Sequence, residues 1–139
     1  MGYGELLHKS EQRTISPAIC VYIDANGLHE PNNERGHEAG DLMLRFVAES
    51  LMEQFPKGSL YRVGGDEFVV FPAPAEGQTC EDRMRSASAS ITTQGYSISY
   101  GIAAHESVVG LRELVREADE KMLESKRAYY AEHDRRVRK

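Results

Sequence analysis

The sequence predicts an α/β fold, a three-layer sandwich in which helices flank a central, mostly antiparallel sheet. Three observations predict it: an unbroken apolar run after Pro17, a Gly-Gly pair between two β-forming runs, and apolar stripes with helical spacing between the strands. The Gly-Gly hairpin makes part of the sheet antiparallel, and the helices must cover its faces. The predicted order is strand, helix, hairpin, helix, strand, helix.

The first half of the chain supplies a strand, a loop and a helix. Residues 18–23 form a continuous apolar run, which is typical of a central strand covered on both faces. The run ends at Asp24, and residues 25–36 are rich in Asn, Gly, Pro and His, which favours a loop. A stripe with a period near 3.6 predicts a helix over about 38–54, which Pro56 would end.

The second half begins with the hairpin, residues 60–71, which turns through Gly64 and Gly65. A helix is predicted over about 80–93, with Thr79 as its N-terminal cap and Gly95 at its C-terminal end. Residues 96–102 alternate large and small side chains, which predicts a strand whose small face would let a helix pack closely. The last helix is predicted from about Val108, followed by a polar tail at 131–139.

Length and composition suit one domain over residues 1–139, in which residues 1–16 are a short segment of mixed composition where Leu6 and Leu7 are compatible with a small helix. The formal net charge of −5 argues against a general nucleic-acid-binding surface. No window approaches the ~20 apolar residues of a membrane span, so we expect no membrane contact by this domain. Cys20 and Cys80 have no metal-type spacing, and buried thiols in a reducing cytoplasm are the simple interpretation.

Asp66 and Glu67 are adjacent carboxylates where a strand leaves the hairpin turn. Two acids at such a place repel each other and pack poorly, and they often serve a metal ion or a proton transfer. A turn that is merely acidic and solvated is the alternative. Similarly, Asp24 is either a strand-ending turn residue or a site residue, and a hairpin that pairs beside its strand would bring Asp66 opposite it.

Residues 64–68 read Gly-Gly-Asp-Glu-Phe, and through this motif the chain resembles the GGDEF family of diguanylate cyclases. Residues 24–41, from Asp24 through Asn32 to Gly40-Asp41, are similar to the family's upstream signature. The resemblance covers about 17–126 and implies a fold like the palm of nucleotide cyclases and polymerases. The usual Asp-x-Leu-Thr segment at the family's N-terminus is absent, so residues 1–16 are divergent or truncated.

The resemblance implies a magnesium site. Asp24, the Ala25 carbonyl and Asp66 would hold Mg²⁺ (or Mn²⁺), and Glu67 would act as a base or a second metal contact. Mg²⁺ suits this set because it takes a few carboxylates and leaves positions for phosphate oxygens.

The resemblance also implies a nucleotide site. Asn32 and Asp41 correspond to the residues that bind guanine, whose N1–H and N2–H₂ donors suit a carboxylate. The turn around Gly27 and Leu28 would wrap the phosphates with backbone N–H groups. Lys126 falls at the position of the family's phosphate-binding lysine. Taken without the resemblance, Asn32 is a loop residue, Asp41 an acid near a helix N-terminus and Lys126 a solvated surface charge.

The implied reaction condenses two GTP molecules to cyclic di-GMP with loss of pyrophosphate. Each 3′-hydroxyl attacks the α-phosphate of the other GTP, and one domain holds one GTP, so a homodimer is part of the mechanism. A separate sensory module usually controls such a domain in this family.

Several positions depart from the family pattern. His29 replaces a lysine, Asn33 replaces an aspartate, and Tyr130 stands where a phosphate-binding arginine is usual. The family's product-inhibition motif is also absent, with Phe55 and Gly58 at its ends, so we predict no feedback inhibition there. These departures leave two alternatives to an active cyclase: a domain that binds GTP and regulates a partner without turnover, and an interaction or dimerisation module.

Overall fold

The structure, a computed structural model, describes residues 2–26, 36–74 and 79–137. Within these residues, the helices are α1 (Tyr3–Ser10), α2 (Gly36–Gln54), α3 (Cys80–Thr93) and α4 (Arg112–Val137). The strands are β1 (Thr14–Ile15), β2 (Ala18–Asn26), β3 (Ser59–Arg62), β4 (Glu67–Phe71), β5 (Ser97–His105) and β6 (Val108–Val109). None of the described helices is long and apolar enough to cross a membrane.

The central sheet has four strands in the order β3-β4-β2-β5, and every pairing in it is antiparallel. Strand β2 lies inside the sheet because its continuous apolar run can be buried on both faces. Helices α2 and α3 pack on one face, around a core that includes Val21, Ile23 and Met84. Helices α1 and α4 cover the other face, around Cys20 and Leu114. The predicted three-layer α/β sandwich is confirmed.

Alternation along β2 decides which face each residue serves. Val21, Ile23 and Ala25 belong to the core under α2 and α3, whereas Ala18 and Cys20 belong to the core under α4. Since successive side chains of a strand point to opposite faces, residue 24 faces α4 together with residues 20 and 22. This parity places the candidate carboxylate under the last helix of the chain.

Helix α4 packs directly on the backbone of β5 at Gly101. A Cβ atom built on Gly101 would overlap the Ala118 carbonyl oxygen and the Met122 nitrogen, and would lie 2.6 Å from the Lys121 Cβ. The residue must therefore be glycine for the helix to reach this depth. The predicted close approach of a helix to the small face of this strand is confirmed.

The elements differ from the predictions in three places. Val108 belongs to β6, which pairs with β1 in a separate two-stranded sheet, and the last helix starts only at Arg112. Thr79 occupies the N-cap position of α3 but its side chain makes no capping hydrogen bond; its Oγ1 accepts a hydrogen bond from Arg83 Nε at 2.8 Å. Strand β2 extends to Asn26, so Asp24 lies within the strand rather than at its end.

The two ends of the chain also take defined positions. Buried Leu7 of α1 packs in the core under α4, and Ser10 Oγ accepts a hydrogen bond from the Leu111 N–H at 3.0 Å. The N-terminal segment is thus tied to the start of α4. Helix α4 continues through Val137, so the polar segment after Tyr130 is helical for most of its length. Cys20 and Cys80 are buried and not disulfide-bonded.

Candidate functional site

Asp24 is a buried carboxylate with an incomplete set of partners. Its side chain is 1% exposed, and its Oδ2 forms an ion pair with the Lys126 Nζ of α4. Its other oxygen, Oδ1, is buried and has no hydrogen-bond partner among the residues that the structure describes. Such an orphaned buried oxygen is unusual, because buried polar groups are normally paired, and it indicates a ligand position.

The electrostatics of Asp24 reflect this burial. The pKa of Asp24 is raised to about 6 as the balance of three effects: removal from water raises it most, the Lys126 ammonium lowers it, and the neighbouring Asp66 carboxylate adds to the rise. The hydrogen bond to Asp24 in turn raises the pKa of Lys126. Two mutually repelling carboxylates therefore share one edge of the sheet, where a divalent cation would relieve the repulsion.

The hairpin turn is fastened to β2 beside Asp24. The Ala25 N–H donates to the Asp66 carbonyl oxygen at 2.9 Å, and Glu67 is the cross-strand neighbour of Asp24. We expected Asp66 to lie opposite Asp24; the register instead places Glu67 there and Asp66 beside Ala25. The Asp66 carboxylate nevertheless lies close enough to Asp24 to raise its pKa, and the hydrogen bond from Ala25 holds the turn beside β2.

Glu67 is held by a side chain that the sequence did not single out. The Tyr22 hydroxyl donates to Glu67 Oε1 at 3.0 Å, and the nearby Glu67 carboxylate adds to the burial that raises the pKa of Tyr22. Tyr22, Asp24 and Glu67 lie on the same face of adjacent strands. Strand parity was the available signal, since residue 22 must share the face of residue 24.

Gly64 leaves room for the same carboxylate. A Cβ on Gly64 would lie 2.9 Å from Glu67 Oε1. The turn is further braced by Arg62, whose Nη2 and Nε donate to the Gly65 carbonyl oxygen at 2.6 and 3.2 Å. Gly64 thus serves the packing of Glu67 as well as the turn.

A second polar region lies on the opposite face of the sheet, beside α2. A cavity of about 380 Å³ is lined by Asp41, Leu44, Arg45, Ala48, Arg62 and Phe68. Asp41 is exposed, in the second turn of α2, and Phe68 is buried under that helix. The cavity has an apolar wall and charged groups at its rim, an arrangement suited to a planar polar ring.

The carboxylates at this site suit a magnesium ion that is bound partly by phosphate oxygens, rather than a metal ion whose ligands all come from the protein. Among the described residues, no three His, Cys, Asp or Glu side chains converge on one point. Mg²⁺ needs only one or two carboxylates when phosphates supply further oxygens. The buried Asp24 Oδ1 and the adjacent Asp66 carboxylate satisfy that requirement.

The structure brings together Asp24, Ala25, Asp66, Glu67 and Lys126, whereas Asp41 lies across the sheet. The remaining predicted positions, Gly27, Leu28 and Asn32, fall outside the described residues, as do the departures at His29 and Asn33.

Two further departures from the family pattern lie within the residues that the structure describes. Tyr130 contacts the Tyr129 ring, with centroids 5.0 Å apart, and Arg127 nearby is exposed. Phe55 is fully buried in the core, with Gly58 donating to its carbonyl oxygen at 3.0 Å.

The described residues thus combine an α/β sandwich, acids at a strand-hairpin junction, a lysine that reaches them and a cavity beside α2. The sequence model described as "Diguanylate cyclase, GGDEF domain" matches residues 4–131, which is nearly the whole chain. The chain belongs to the GGDEF family.

Curated relatives include diguanylate cyclases that are longer than this chain. It is 29% identical to diguanylate cyclase DgcS of Shewanella oneidensis, over 83% of this chain and 41% of that protein. It is likewise 29% identical to diguanylate cyclase DosC of Escherichia coli, over 88% of this chain and 29% of that protein. The chain therefore spans less than half the length of these relatives.

Solved structures agree with the fold. An N-terminally truncated form of TpbB (YfiN) from Pseudomonas aeruginosa, comprising only the GGDEF domain, superposes with a TM-score of 0.72 at 29% identity. The match covers 89% of this chain and 78% of that one. The active GGEEF domain of a diguanylate cyclase from Vibrio cholerae gives a TM-score of 0.71 over 91% of each chain, and at 18% identity it supports the fold alone.

Proposed function

We propose that this domain is a diguanylate cyclase that condenses two GTP molecules to cyclic di-GMP and pyrophosphate. The observation that carries the proposal is the buried Asp24 Oδ1, which has no partner within residues 2–26, 36–74 and 79–137, beside the Asp66 carboxylate of the Gly-Gly-Asp-Glu-Phe turn. Membership of the GGDEF family supports the choice of reaction.

Asp24, Asp66 and the Ala25 carbonyl would hold Mg²⁺ or Mn²⁺. The bound cation would neutralise phosphate charge and lower the pKa of the attacking 3′-hydroxyl. The protein's own contribution is positional, because β2 and the hairpin fix both carboxylates before any ligand arrives. Preorganised charge of this kind costs no rearrangement at the moment of reaction.

Glu67 is the candidate for the proton transfer. The 3′-hydroxyl oxygen of one GTP forms a bond to the α-phosphorus of the other, the bond to pyrophosphate breaks, and the hydroxyl proton passes to a carboxylate. The Tyr22 hydroxyl holds Glu67 by a hydrogen bond, and the absence of a side chain at Gly64 leaves room for the Glu67 carboxylate. Each condensation joins GTP on two domains, so the proposal requires a homodimer.

The base and the phosphates would be held by separate groups. Asp41 accepts from the guanine N1–H and N2–H₂ donors, and Asn32 hydrogen-bonds elsewhere on the edge of the base. A carboxylate left unpaired would disfavour adenine. Gly27 and Leu28 offer backbone N–H groups to the phosphates, and Lys126 supplies positive charge from α4. Lys126 is already at the carboxylate edge, through its ion pair with Asp24.

A GTP-binding regulatory domain without turnover is the second candidate. It is favoured by Tyr130, which occupies the position of a phosphate-binding arginine and contacts Tyr129. The greater length of the relatives supports the expectation that a sensory module elsewhere in the protein controls the domain. We expect the domain to act in the cytoplasm.

One incubation separates these candidates. Purified protein is mixed with GTP and Mg²⁺, and the products are identified by mass spectrometry. Cyclic di-GMP with two equivalents of pyrophosphate is the expected result. GTP binding without product would select the regulatory domain, and no GTP binding would reject both.

A further inference from the structure

The cavity beside α2 contains two opposite charges that do not pair with each other. Asp41 and Arg45 are separated by one helical turn and line the same cavity. Aspartate followed four residues later by arginine is a favourable arrangement for an ion pair on a helix surface. Yet neither side chain makes a hydrogen bond or ion pair within residues 2–26, 36–74 and 79–137. Both charges are therefore available to a ligand.

The space between these charges has an apolar surface. Leu44, Ala48 and Phe68 line the cavity, and Phe68 is only 3% exposed. An aromatic ring and aliphatic side chains offer a surface on which a planar base can lie. Side chains at positions i and i+4 start about 5–6 Å apart, which is comparable to the width of one purine edge.

The order of charges matches one base in particular. Guanine presents the N2–H₂ and N1–H donors next to the O6 acceptor, and N7 follows as a second acceptor. A carboxylate suits the donors, and an arginine fork suits O6 and N7. Adenine carries an amino donor at the position of O6, so it would place a donor against the guanidinium.

The other arginine of the cavity is already committed. Arg62 donates through both Nε and Nη2 to the Gly65 carbonyl oxygen. Arg45 has no such bond among the described residues, so its full set of donors is free for a base.

We propose that Arg45 is a specificity residue that donates to O6 of the guanine whose N1–H and N2–H₂ donors Asp41 accepts. This inference rests on the proposed binding of GTP and extends it to a residue outside the family motifs discussed above. Arg45 and Asp41 together would recognise the complete donor-donor-acceptor edge of guanine, from a single face of α2.

The test is a set of binding titrations with nucleotides that cannot condense. The 3′-deoxy forms of GTP, 6-thio-GTP and ITP lack the attacking hydroxyl, and calorimetry in Mg²⁺ gives their affinities. Sulfur at position 6 is a poor acceptor, whereas inosine lacks only the N2 amine. The wild type is expected to bind the 6-thio and inosine forms more weakly than the guanosine form.

Arg45→Met is expected to weaken binding of 3′-deoxy-GTP by about tenfold to a hundredfold, within the range for one base contact. The variant should no longer distinguish the 6-thio form, yet should still disfavour inosine. Asp41→Asn should no longer disfavour the inosine form, yet should still disfavour the 6-thio form. Arg45→Lys should retain part of the discrimination at position 6. Arg85→Met is the matched control, because Arg85 is an exposed arginine paired with Glu81 and Asp82 on α3. It should change neither the affinity for 3′-deoxy-GTP nor the discrimination between the analogues.

Two results would overturn the inference while leaving the proposed function intact. Arg45→Met could bind 3′-deoxy-GTP as the wild type does, or Arg62→Met could remove the discrimination at position 6 in its place. Failure of the wild type to bind 3′-deoxy-GTP at all would instead reject the proposed function, and this inference with it.

Discussion

The two faces of the central sheet present polar groups in contrasting ways. On the α4 face, Asp24 is buried and paired with Lys126, and Glu67 is bonded to Tyr22. On the α2 face, Asp41 and Arg45 are exposed and have no partner among the described residues. The first region is built in advance to hold charge in a place removed from water, whereas the second leaves its donors and acceptors open to a ligand.

This contrast has a physical reason. Burial strengthens the interaction of a carboxylate with a cation, but it also makes an unpaired carboxylate costly, so the protein supplies Lys126 as a partner. An exposed helix surface imposes no such cost because water solvates the charges, so Asp41 and Arg45 can remain without a partner among the described residues. We therefore expect substitutions on the α4 face to affect both stability and turnover, and those on the α2 face to affect nucleotide affinity and base selectivity with little change in stability.

The largest expected effect comes from removing one carboxylate on the α4 face. Asp66→Asn should lower the rate of cyclic di-GMP formation by about 10²–10³-fold, because one oriented charge toward the reacting groups is lost. Base selectivity should persist, since Asp41 is untouched. Liquid chromatography of the product measures the rate, with Asp82→Asn, an exposed acid on α3, as control. Unchanged turnover in Asp66→Asn would show that the metal assignment is wrong.

The next effect tests how closely α4 is seated. Gly101→Ala should lower the free energy of unfolding by about 1–3 kcal/mol or more, because the new methyl group meets the backbone of α4. Displacing α4 should also reduce turnover through Lys126. Urea titration measures the change. Gly4→Ala, in α1 with no atom within 4 Å of the added Cβ, should be neutral or slightly stabilising. Equal behaviour of the two variants would contradict the packing described.

A third prediction uses the pKa of Asp24. Because burial raises this pKa to about 6, the folded protein holds the proton more tightly than the unfolded chain. Stability contributed at this site is thus present below about pH 4 and lost as the pH rises to about 6. In EDTA at pH 7.5, Asp24→Asn should be more stable than the wild type by about 2–3 kcal/mol, and at pH 4 by little.

Urea titrations of the wild type and Asp24→Asn across this pH range make the test. Added Mn²⁺ should raise the melting temperature of the wild type more than that of the variant, because binding to the folded state stabilises it. A variant that is less stable than the wild type at pH 7.5 in EDTA would contradict the account of Asp24.

The smallest effect concerns the orientation of Glu67. Tyr22→Phe should reduce stability by about 1 kcal/mol and turnover by a few-fold, because the hydroxyl that fixes Glu67 Oε1 is removed. Tyr61→Phe is the matched control, since the Tyr61 hydroxyl makes no hydrogen bond to a described residue. A larger loss in Tyr61→Phe would show that Tyr22 has no special role.

Much of this organisation could be predicted from local sequence. The hairpin at Gly64-Gly65, the three long helices and the small face around Gly101 follow from spacing and residue size, which act over a few positions. Strand parity along β2 would also have identified Tyr22. These features depend on residues that are close together in the chain, so they can be predicted from a single sequence.

Other features depend on contacts between distant segments. The pairing of β1 with β6 joins two strands of two residues each, which are too short for a sequence pattern, so the sequence wrongly predicts a helix from Val108. The register that puts Glu67 rather than Asp66 opposite Asp24 is set by packing across the sheet. Lys126 could be linked to Asp24 only through the family resemblance, since the two lie far apart in the chain.

A crystal structure of the protein with 3′-deoxy-GTP and Mg²⁺ tests the central claim most directly. We predict a cation bonded to carboxylate oxygens of Asp24 and Asp66 at about 2.0–2.1 Å, with the base in the cavity against Asp41. A nucleotide bound elsewhere, or a cation that touches neither carboxylate, would contradict the account.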